Sequence, residues 1–263
     1  MKASFAYESL MLLLLILLCN QTPFLISTTQ AFRGQKMNVT FKLLAVESNF
    51  NGTPLKSAQR LIENLMLFVN WQNYTHMNLL CSAYIHLLSN VNYEEIDSEC
   101  KPCYRGNATK SNVIDEIRSF LNESEDDCPS ISVFYYVGES KREISDGKTS
   151  FFMDLDKPLF DWEIDDILPF NQSKKSTLII LDTQYGGGYI SKLQKPGRVI
   201  LCACNPVEKI FVGLFTGHEN ARYANGTCFG PLGIIGAMHA AEDINKDGWL
   251  SADEVFRFSW KTL

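Results

Sequence analysis

Residues 243–254 near the C-terminus carry oxygen donors at the spacing of an EF-hand calcium loop. Acidic or amide side chains stand at the first, third and fifth positions, Gly248 stands at the sixth, where the loop turns sharply, and a glutamate closes it at the twelfth. The seventh position offers its backbone carbonyl and the ninth a direct or water-mediated contact. The predicted ligand positions are Asp243, Asn245, Asp247, Trp249, Ser251 and Glu254. The spacing therefore predicts a calcium ion, Ca2+, as the cofactor.

The sequence contains one such loop. EF-hand sensors generally work in pairs, so a single loop favours a structural site that fixes the last helix over a switch. A dockerin-type module that binds a cohesin partner would need a second copy, and no second copy occurs in the sequence.

Two other segments place polar residues where apolar runs end. Residues 133–140 read Val-Phe-Tyr-Tyr-Val-Gly-Glu-Ser, and residues 181–188 read Leu-Asp-Thr-Gln-Tyr-Gly-Gly-Gly. In open parallel sheets, ligand-binding and catalytic groups gather at the carboxyl ends of strands. These two segments are therefore the candidates for a functional groove.

The order of these segments resembles the caspase/legumain-type cysteine peptidases, particularly the archaeal and bacterial members. In that family one strand ends in Tyr-(Ser/Thr)-Gly-His-Gly and a later strand ends in Asp-(Ser/Ala)-Cys-Tyr-Ser-Gly-Gly. The resemblance covers most of residues 40–263, with further similarity at 107–112 and 197–203. It implies a three-layer α/β fold with a mainly parallel central sheet and helices on both faces. Similar C-terminal calcium loops occur in some archaeal members.

This chain departs from the family at both catalytic positions. Glu139 stands where the family has its histidine, and Gln184 stands where it has its cysteine. A neutral amide cannot attack a peptide carbonyl, and loss of members of a catalytic unit costs roughly four to six orders of magnitude in rate. We therefore expect no catalytic residue, but a surviving groove that binds a peptide or protein. Its expected shell is Gly138, Asp182, Gly186 and Gly187.

Two alternatives remain open. The first is an active endopeptidase with a rearranged nucleophile, for which the candidates are Thr183, Tyr185, Cys202 and Cys204. The second is a structural surface glycoprotein in which neither the groove nor the calcium loop has a ligand-dependent role.

The hydrophobic pattern of the sequence predicts the elements that position these residues. Short β-rich runs alternate with amphipathic segments along the chain. Predicted strands are Phe41–Val46, Met77–Tyr84, Ile131–Tyr136, Leu178–Asp182 and Val199–Ala203. Predicted helices are Lys56–Val69, Lys110–Leu121 with Thr109 or Ser111 as its cap, Asp161–Leu168 and Pro231–Ala241, and a small hairpin element is predicted at Phe151–Leu155.

Composition narrows the class of protein. The 263 residues are 46% hydrophobic with a net charge of −6, which favours a folded domain and gives no basic surface for nucleic acid. We divide the chain into a signal peptide or signal anchor at 1–30, a caspase-like domain at 31–241, and a calcium loop with terminal helix at 242–263 that packs on that domain.

The N-terminal segment indicates export. Its nine-residue apolar run, Leu10–Leu18, is the length of a signal-peptide core, and is shorter than the ~20 residues that span a bilayer. Contact with a membrane is expected only if residues 10–26 remain as an uncleaved anchor. The predicted localisation is therefore secreted or extracytoplasmic.

Glycosylation sequons and cysteines agree with export. Eight Asn-x-Ser/Thr sequons occur, against roughly two expected by chance, and seven lie after residue 30. These seven are Asn38, Asn51, Asn73, Asn107, Asn122, Asn171 and Asn225. Seven cysteines also lie after residue 30, which permits three disulfides and one free thiol. We interpret Cys100 and Cys103 as a structural disulfide loop, and Cys202 and Cys204 as small residues packing on one face of a strand.

Overall fold

The computed structural model describes residues 39–50, 53–63, 81–123, 130–169 and 175–207, and in addition residues 244, 254 and 257. Within those ranges, no helix is both long and apolar enough to cross a membrane.

The chain forms eleven strands in the described residues. They are β1 (Val39–Glu47), β2 (Asn49–Phe50), β3 (Thr53–Pro54), β4 (Cys81–Ser89), β5 (Tyr104–Gly106), β6 (Ser130–Gly138), β7 (Ser140–Ser145), β8 (Lys148–Met153), β9 (Leu159–Phe160), β10 (Lys175–Thr183) and β11 (Arg198–Cys202).

The described helical segments are α1 (57–63), α2 (Lys110–Glu116), α3 (Asp161–Ile167) and α4 (Ile190–Leu193). α2 continues into a π-helical turn at Ile117–Leu121, and 3-10 turns occur at Tyr93–Glu95, Lys101–Cys103 and Gly186–Tyr189.

Six strands form the central sheet in the order β11-β10-β6-β1-β4-β5, and every neighbouring pair is parallel. The inner strands are almost continuously apolar, and in β6 every residue from Ile131 to Gly138 is buried. Such runs are typical of a parallel sheet that is covered on both faces. The expected mixed α/β fold with a mainly parallel sheet is therefore confirmed.

A second, antiparallel sheet follows β6 and has the order β7-β8-β9. Phe151 and Met153 of β8 are buried in the main core, whereas β7 is exposed after its first residue. The ring centroid of Phe151 lies 5.9 Å from that of Tyr189. These contacts hold the small sheet against the turn that follows β10.

Most predicted elements are found, with shifted ends. The predictions at Phe41–Val46, Ile131–Tyr136 and Leu178–Asp182 are confirmed and extended by β1, β6 and β10, and that at Val199–Ala203 by β11 with ends one residue earlier. The helix predicted at Asp161–Leu168 ends one residue earlier. The cap at Thr109 is confirmed, since its Oγ1 accepts a hydrogen bond from Asn112 N at 3.3 Å.

Other predictions need correction or lie partly outside the described residues. The strand predicted at Met77–Tyr84 is described only from Cys81 and runs on to Ser89, because its buried part is the apolar run after Tyr84. The helix predicted at Lys56–Val69 is described only over 57–63, and that at Pro231–Ala241 lies outside the described residues. The element predicted at Phe151–Leu155 is part of the three-stranded sheet.

Candidate functional site

The two positions at which the chain departs from the peptidase motif follow neighbouring strands. Gly138 of β6 pairs with Thr183 of β10, and the Thr183 hydroxyl donates a hydrogen bond to the Gly138 carbonyl at 2.7 Å. Two residues after Gly138, the Ser140 hydroxyl donates to the carbonyl of Gln184, the residue after Thr183. Glu139 and Gln184 therefore follow paired positions at the same carboxyl edge of the sheet, as the parallel arrangement predicted.

Buried hydrogen bonds fix the backbone at the end of β6. Tyr136 donates its hydroxyl to the carbonyl of Glu139 at 2.6 Å and forms a 3.0 Å hydrogen bond with the Ser48 hydroxyl. Burial raises the pKa of the Tyr136 phenol well above its ordinary value, so the hydroxyl stays protonated. A Cβ at position 138 would collide with the Ser48 side chain, so only glycine fits there. Hydrogen bonds at the ends of β6 and β1 therefore fix the backbone at Glu139.

The three-glycine segment after β10 allows close packing of the turn at Gly186–Tyr189. The amide of Gly187 donates to the carbonyl of Cys204 at 2.8 Å, and a Cβ at Gly187 would approach that carbonyl to 3.0 Å. A Cβ at Gly188 would overlap the ring of Phe151. The glycines let the turn fit between the end of β11 and the three-stranded sheet, which gives this segment one defined shape.

Asp182, the acidic residue predicted in the groove shell, is fully buried. One of its carboxylate oxygens accepts a hydrogen bond from the Tyr135 hydroxyl at 2.9 Å. This bond joins β10 to β6, so the carboxylate links the two strands that Glu139 and Gln184 follow.

The candidate replacement nucleophiles have local partners. Cys202 donates its thiol to the Gly186 carbonyl at 3.3 Å, and Cys204 donates to the Thr183 carbonyl at 3.2 Å. Burial, and then the neighbouring Cys204, raise the pKa of Cys202 to about 12, which keeps its thiol protonated at neutral pH. The Tyr185 ring lies under the guanidinium of Arg142, 5.8 Å from the ring centroid. None of these contacts supplies the base that an attacking hydroxyl or thiol requires.

The histidine that the structure describes is His86, on β4. Its Nδ1 lies 2.7 Å from the Glu116 carboxylate, and its ring stacks on Phe120 with centroids 3.7 Å apart. These partners hold it on the α2 side of β4, and β1 separates that strand from β6. The residues outside the described ranges include His76, His218 and His239.

Of the predicted calcium loop, the structure describes Ile244 and, at the twelfth position, Glu254. Its side chain is buried, and its Oε1 accepts a hydrogen bond from the Ile244 amide at 2.7 Å. The side chain at the twelfth position of the predicted loop therefore contacts the main chain at the second position. The described residues contain no group of three or more His, Cys, Asp or Glu side chains arranged for a metal. The ligand positions outside the described residues are Asp243, Asn245, Asp247, Trp249 and Ser251.

Four cysteines have described side chains, and all four are free thiols. Cys100 and Cys103 bracket the 3-10 turn after β4, and the amide of Cys103 donates to the carbonyl of Cys100 at 3.0 Å. Burial raises the pKa of both thiols. The disulfide predicted between them is not seen in the structure. The raised pKa values disfavour a redox couple, which needs a thiolate near neutral pH.

Two predicted glycosylation acceptors lie in the described residues. Asn107 is exposed, whereas Asn122 is half-buried and donates its Nδ2 to the Ile167 carbonyl at 2.7 Å. The acceptors outside the described residues are Asn38, Asn51, Asn73, Asn171 and Asn225.

Sequence reasoning missed a buried carboxylate at the end of β1. The Glu47 side chain is enclosed by the start of α1 and the end of β4, and burial raises its pKa to about 7. The only signal in the sequence is a charged residue that ends the apolar run Leu43–Val46. Periodicity alone does not distinguish such a residue from the first residue of a solvated loop.

The fold and the strand-end site define the class of protein as an α/β domain with a parallel central sheet. No protein-family model matches the sequence, and no curated protein matches it. Among solved structures, the crystal structure of protein GSU0716 from Geobacter sulfurreducens is similar at a TM-score of 0.32 and 13% sequence identity. The match covers 56% of this chain and 50% of that one, so the chain spans about half the length of that protein.

Proposed function

We propose that this chain is an exported, calcium-binding pseudopeptidase of caspase/legumain-like fold that acts as a binding or regulatory scaffold. The observation that carries the proposal is the pairing of Gly138 with Thr183, which sets Glu139 and Gln184 side by side at adjacent strand ends. The position that would carry the nucleophile therefore carries an amide, and the position that would carry its base carries a carboxylate.

The surroundings of this site favour binding over catalysis. Thr183, Ser140 and Tyr136 direct their hydroxyls to main-chain carbonyls and so stiffen the strand ends. A rigid backbone at strand ends lowers the entropic cost of holding a ligand. The ligand we propose is a peptide or protein segment. The endopeptidase with a rearranged nucleophile is the second candidate, and the raised pKa of Cys202 weighs against it.

Restoring the dyad tests the alignment on which the pseudopeptidase proposal rests. In the variant Glu139→His with Gln184→Cys, the imidazole should lower the pKa of the new thiol, so that thiol-probe labelling at position 184 rises roughly tenfold over Gln184→Cys alone. Labelling is located by peptide mass, since Cys202 and Cys204 lie beside the same turn. Equal labelling in the single and double variants would show that positions 139 and 184 do not form a dyad site.

The calcium part of the proposal is supported by the bond between Glu254 and Ile244. The residues of the loop offer carboxylate, amide, hydroxyl and carbonyl oxygens, which are the hard ligands that calcium takes. Exported calcium modules bind at ~10⁻⁴ to 10⁻³ M. The proposed ion fixes the terminal helix to the preceding domain.

Thermal unfolding with calcium and with chelator tests this site. At a calcium concentration of ~10 times Kd, the free energy of unfolding should rise by about 1.4 kcal/mol, which is a Tm increase of roughly 3–6 °C. The variant Glu254→Gln keeps an oxygen that can accept from Ile244 but loses the bidentate carboxylate, so it should fold and lose the increase. A Tm that is insensitive to millimolar calcium, or an increase that persists in the variant, would rule the site out.

A further inference from the structure

The asparagine of a sequon is exposed at the end of β5, an outer strand of the central sheet, and lies beside an aromatic pair. Asn107 follows this strand, and its Oδ1 accepts a hydrogen bond from the Tyr104 hydroxyl at 3.1 Å. Its main-chain carbonyl accepts from Asn112 Nδ2 and from the Thr109 amide, both at 2.9 Å. The side-chain amide is thus oriented by Tyr104, and its Nδ2 makes no hydrogen bond to another described residue.

The aromatic pair consists of Tyr93 and Tyr104, and we call it the tyrosine platform. The two ring centroids are 5.4 Å apart with a 49° tilt, and Tyr93 is 49% exposed. The ammonium of Lys101 lies 5.1 Å from the Tyr93 ring centroid. An aromatic side chain offers an apolar body with a polar tip, which suits a ligand that has both C–H and hydroxyl groups.

We propose that Asn107 carries an N-linked glycan whose first sugar packs on the tyrosine platform. The inference rests on the export that is part of the proposed function. Because Oδ1 already touches the Tyr104 hydroxyl, a sugar on Nδ2 of the same amide begins within a few bond lengths of that ring. Its C–H face covers the exposed aromatic surface while its hydroxyls remain in water.

The transfer step has a defined chemistry. The donor is a lipid-linked diphosphate oligosaccharide, the substrate class of the enzymes that modify Asn-x-Ser/Thr sequons. The bond between the anomeric carbon and the diphosphate oxygen breaks, the bond between that carbon and Asn107 Nδ2 forms, and Nδ2 releases one proton. The lipid diphosphate is the leaving group.

Asn122 provides a contrast within the same chain. Its Nδ2 donates to the Ile167 carbonyl at 2.7 Å, at the C-terminal end of α3. A sugar there would compete with this bond and with the half-buried surroundings of the side chain. We expect Asn107 to be occupied in the folded, secreted protein and Asn122 to be bare.

Secretion of the full chain from a glycosylating cell tests the inference, with glycopeptide masses to locate the sugars. The variants are Asn107→Gln, Tyr93→Ala and the two combined. Loss of the glycan should lower Tm by about 2–4 °C in the chain that has Tyr93, and by less than about 1 °C in the chain that lacks it. The same Asn107→Gln change in unglycosylated protein, made without secretion, measures what the asparagine side chain contributes by itself.

A second variant removes the glycan without touching the asparagine. Thr109→Asp destroys the sequon but keeps a side-chain oxygen that can cap α2, as Thr109 Oγ1 does for Asn112 N at 3.3 Å. It should lower Tm by the glycan-dependent part of the Asn107→Gln effect, which is the loss in the secreted protein minus the loss in the unglycosylated protein.

The outcomes separate this inference from the proposed function. An occupied Asn107 whose effect on Tm depends on Tyr93 supports the inference, and an effect that is independent of Tyr93 overturns the packing. A secreted chain with other sequons occupied and Asn107 bare overturns the inference alone. A chain without any glycan overturns it together with export, while the calcium site is tested separately on unglycosylated protein.

Discussion

Replacing Arg198 with methionine should lower the free energy of unfolding by about 3–5 kcal/mol, the usual cost of removing one partner from a buried ion pair. The side chain of Arg198, at the start of β11, is fully buried. Its guanidinium donates to Asp165 Oδ1 at 2.7 Å, to the Leu168 carbonyl at 2.6 Å and to the Leu193 carbonyl at 3.1 Å. Its Nε donates to the Pro169 carbonyl at 3.0 Å.

These acceptors explain the size of the effect. The carbonyls of Asp165 and Leu168 belong to the last turn of α3 and the residue after it, where main-chain oxygens lack partners within the helix. Methionine fills similar space without donors and leaves several buried oxygens unsatisfied. Urea unfolding of the two proteins, with equal m-values, measures the difference in stability.

The matched control is Lys195→Met, because Lys195 pairs with the same carboxylate, 2.8 Å from Asp165 Oδ2. Its side chain is 31% exposed, so water screens the pair and we expect a loss of less than about 1 kcal/mol. Arg198→Lys keeps the charge but loses the forked guanidinium donors. Its loss of stability should lie between those of Arg198→Met and Lys195→Met. Equal losses for Arg198→Met and Lys195→Met would show that the carboxylate alone matters and that the carbonyl contacts do not.

The parallel sheet could be predicted from the sequence because its strands are buried on both faces. Runs such as Val133–Tyr136 and Leu178–Leu181 have no polar interruption, and that pattern needs no partner to be recognised. The adjacency of Glu139 and Gln184 then follows from a general rule on strand ends rather than from either segment alone.

The strands that were missed lack the apolar pattern that periodicity detects, and they are strands because of their pairing. β7 is polar after its first residue and is a strand because Ser140–Ser145 pairs with β8. β5 has three residues and is defined by pairing with the end of β4. The burial of Glu47 and Arg198 could not be predicted either. Both are charged residues, and they are buried by other elements of the fold.

Glu47 gives the second large effect, a loss of stability as the pH rises. Its Oε1 accepts hydrogen bonds from Gln59 Nε2 at 2.8 Å and Ser89 Oγ at 2.9 Å, and its Oε2 accepts from the Ala58 amide at 2.9 Å. Full burial outweighs these three donors and raises the pKa from 4.5 to about 7. The carboxylate ties the end of β1 to α1 and β4, at the point where the sheet order reverses between β1 and β6.

The sign of the effect follows from proton binding. Between pH 4.5 and pH 7 the folded chain holds a proton at Glu47 that the unfolded chain has released, so this contribution is complete below pH 4.5 and is lost as the pH passes 7. A pKa shift of this size corresponds to about 3 kcal/mol in the free energy of unfolding. Glu47→Gln cannot titrate, so the free energy of unfolding of the wild type should fall by about 3 kcal/mol more than that of the variant between pH 4.5 and pH 8.

Urea unfolding across this range measures both curves, and the difference between them isolates Glu47 from every other titrating group. The variant Ser89→Ala tests the direction of the pKa change. Ser89 lowers the pKa of Glu47 by donating to the carboxylate, so its removal should move the decline in stability to higher pH. Parallel curves for the wild type and Glu47→Gln would mean that the carboxylate titrates alike in both states. Its three donors would then compensate for burial fully, and the junction of β1, α1 and β4 would be insensitive to pH.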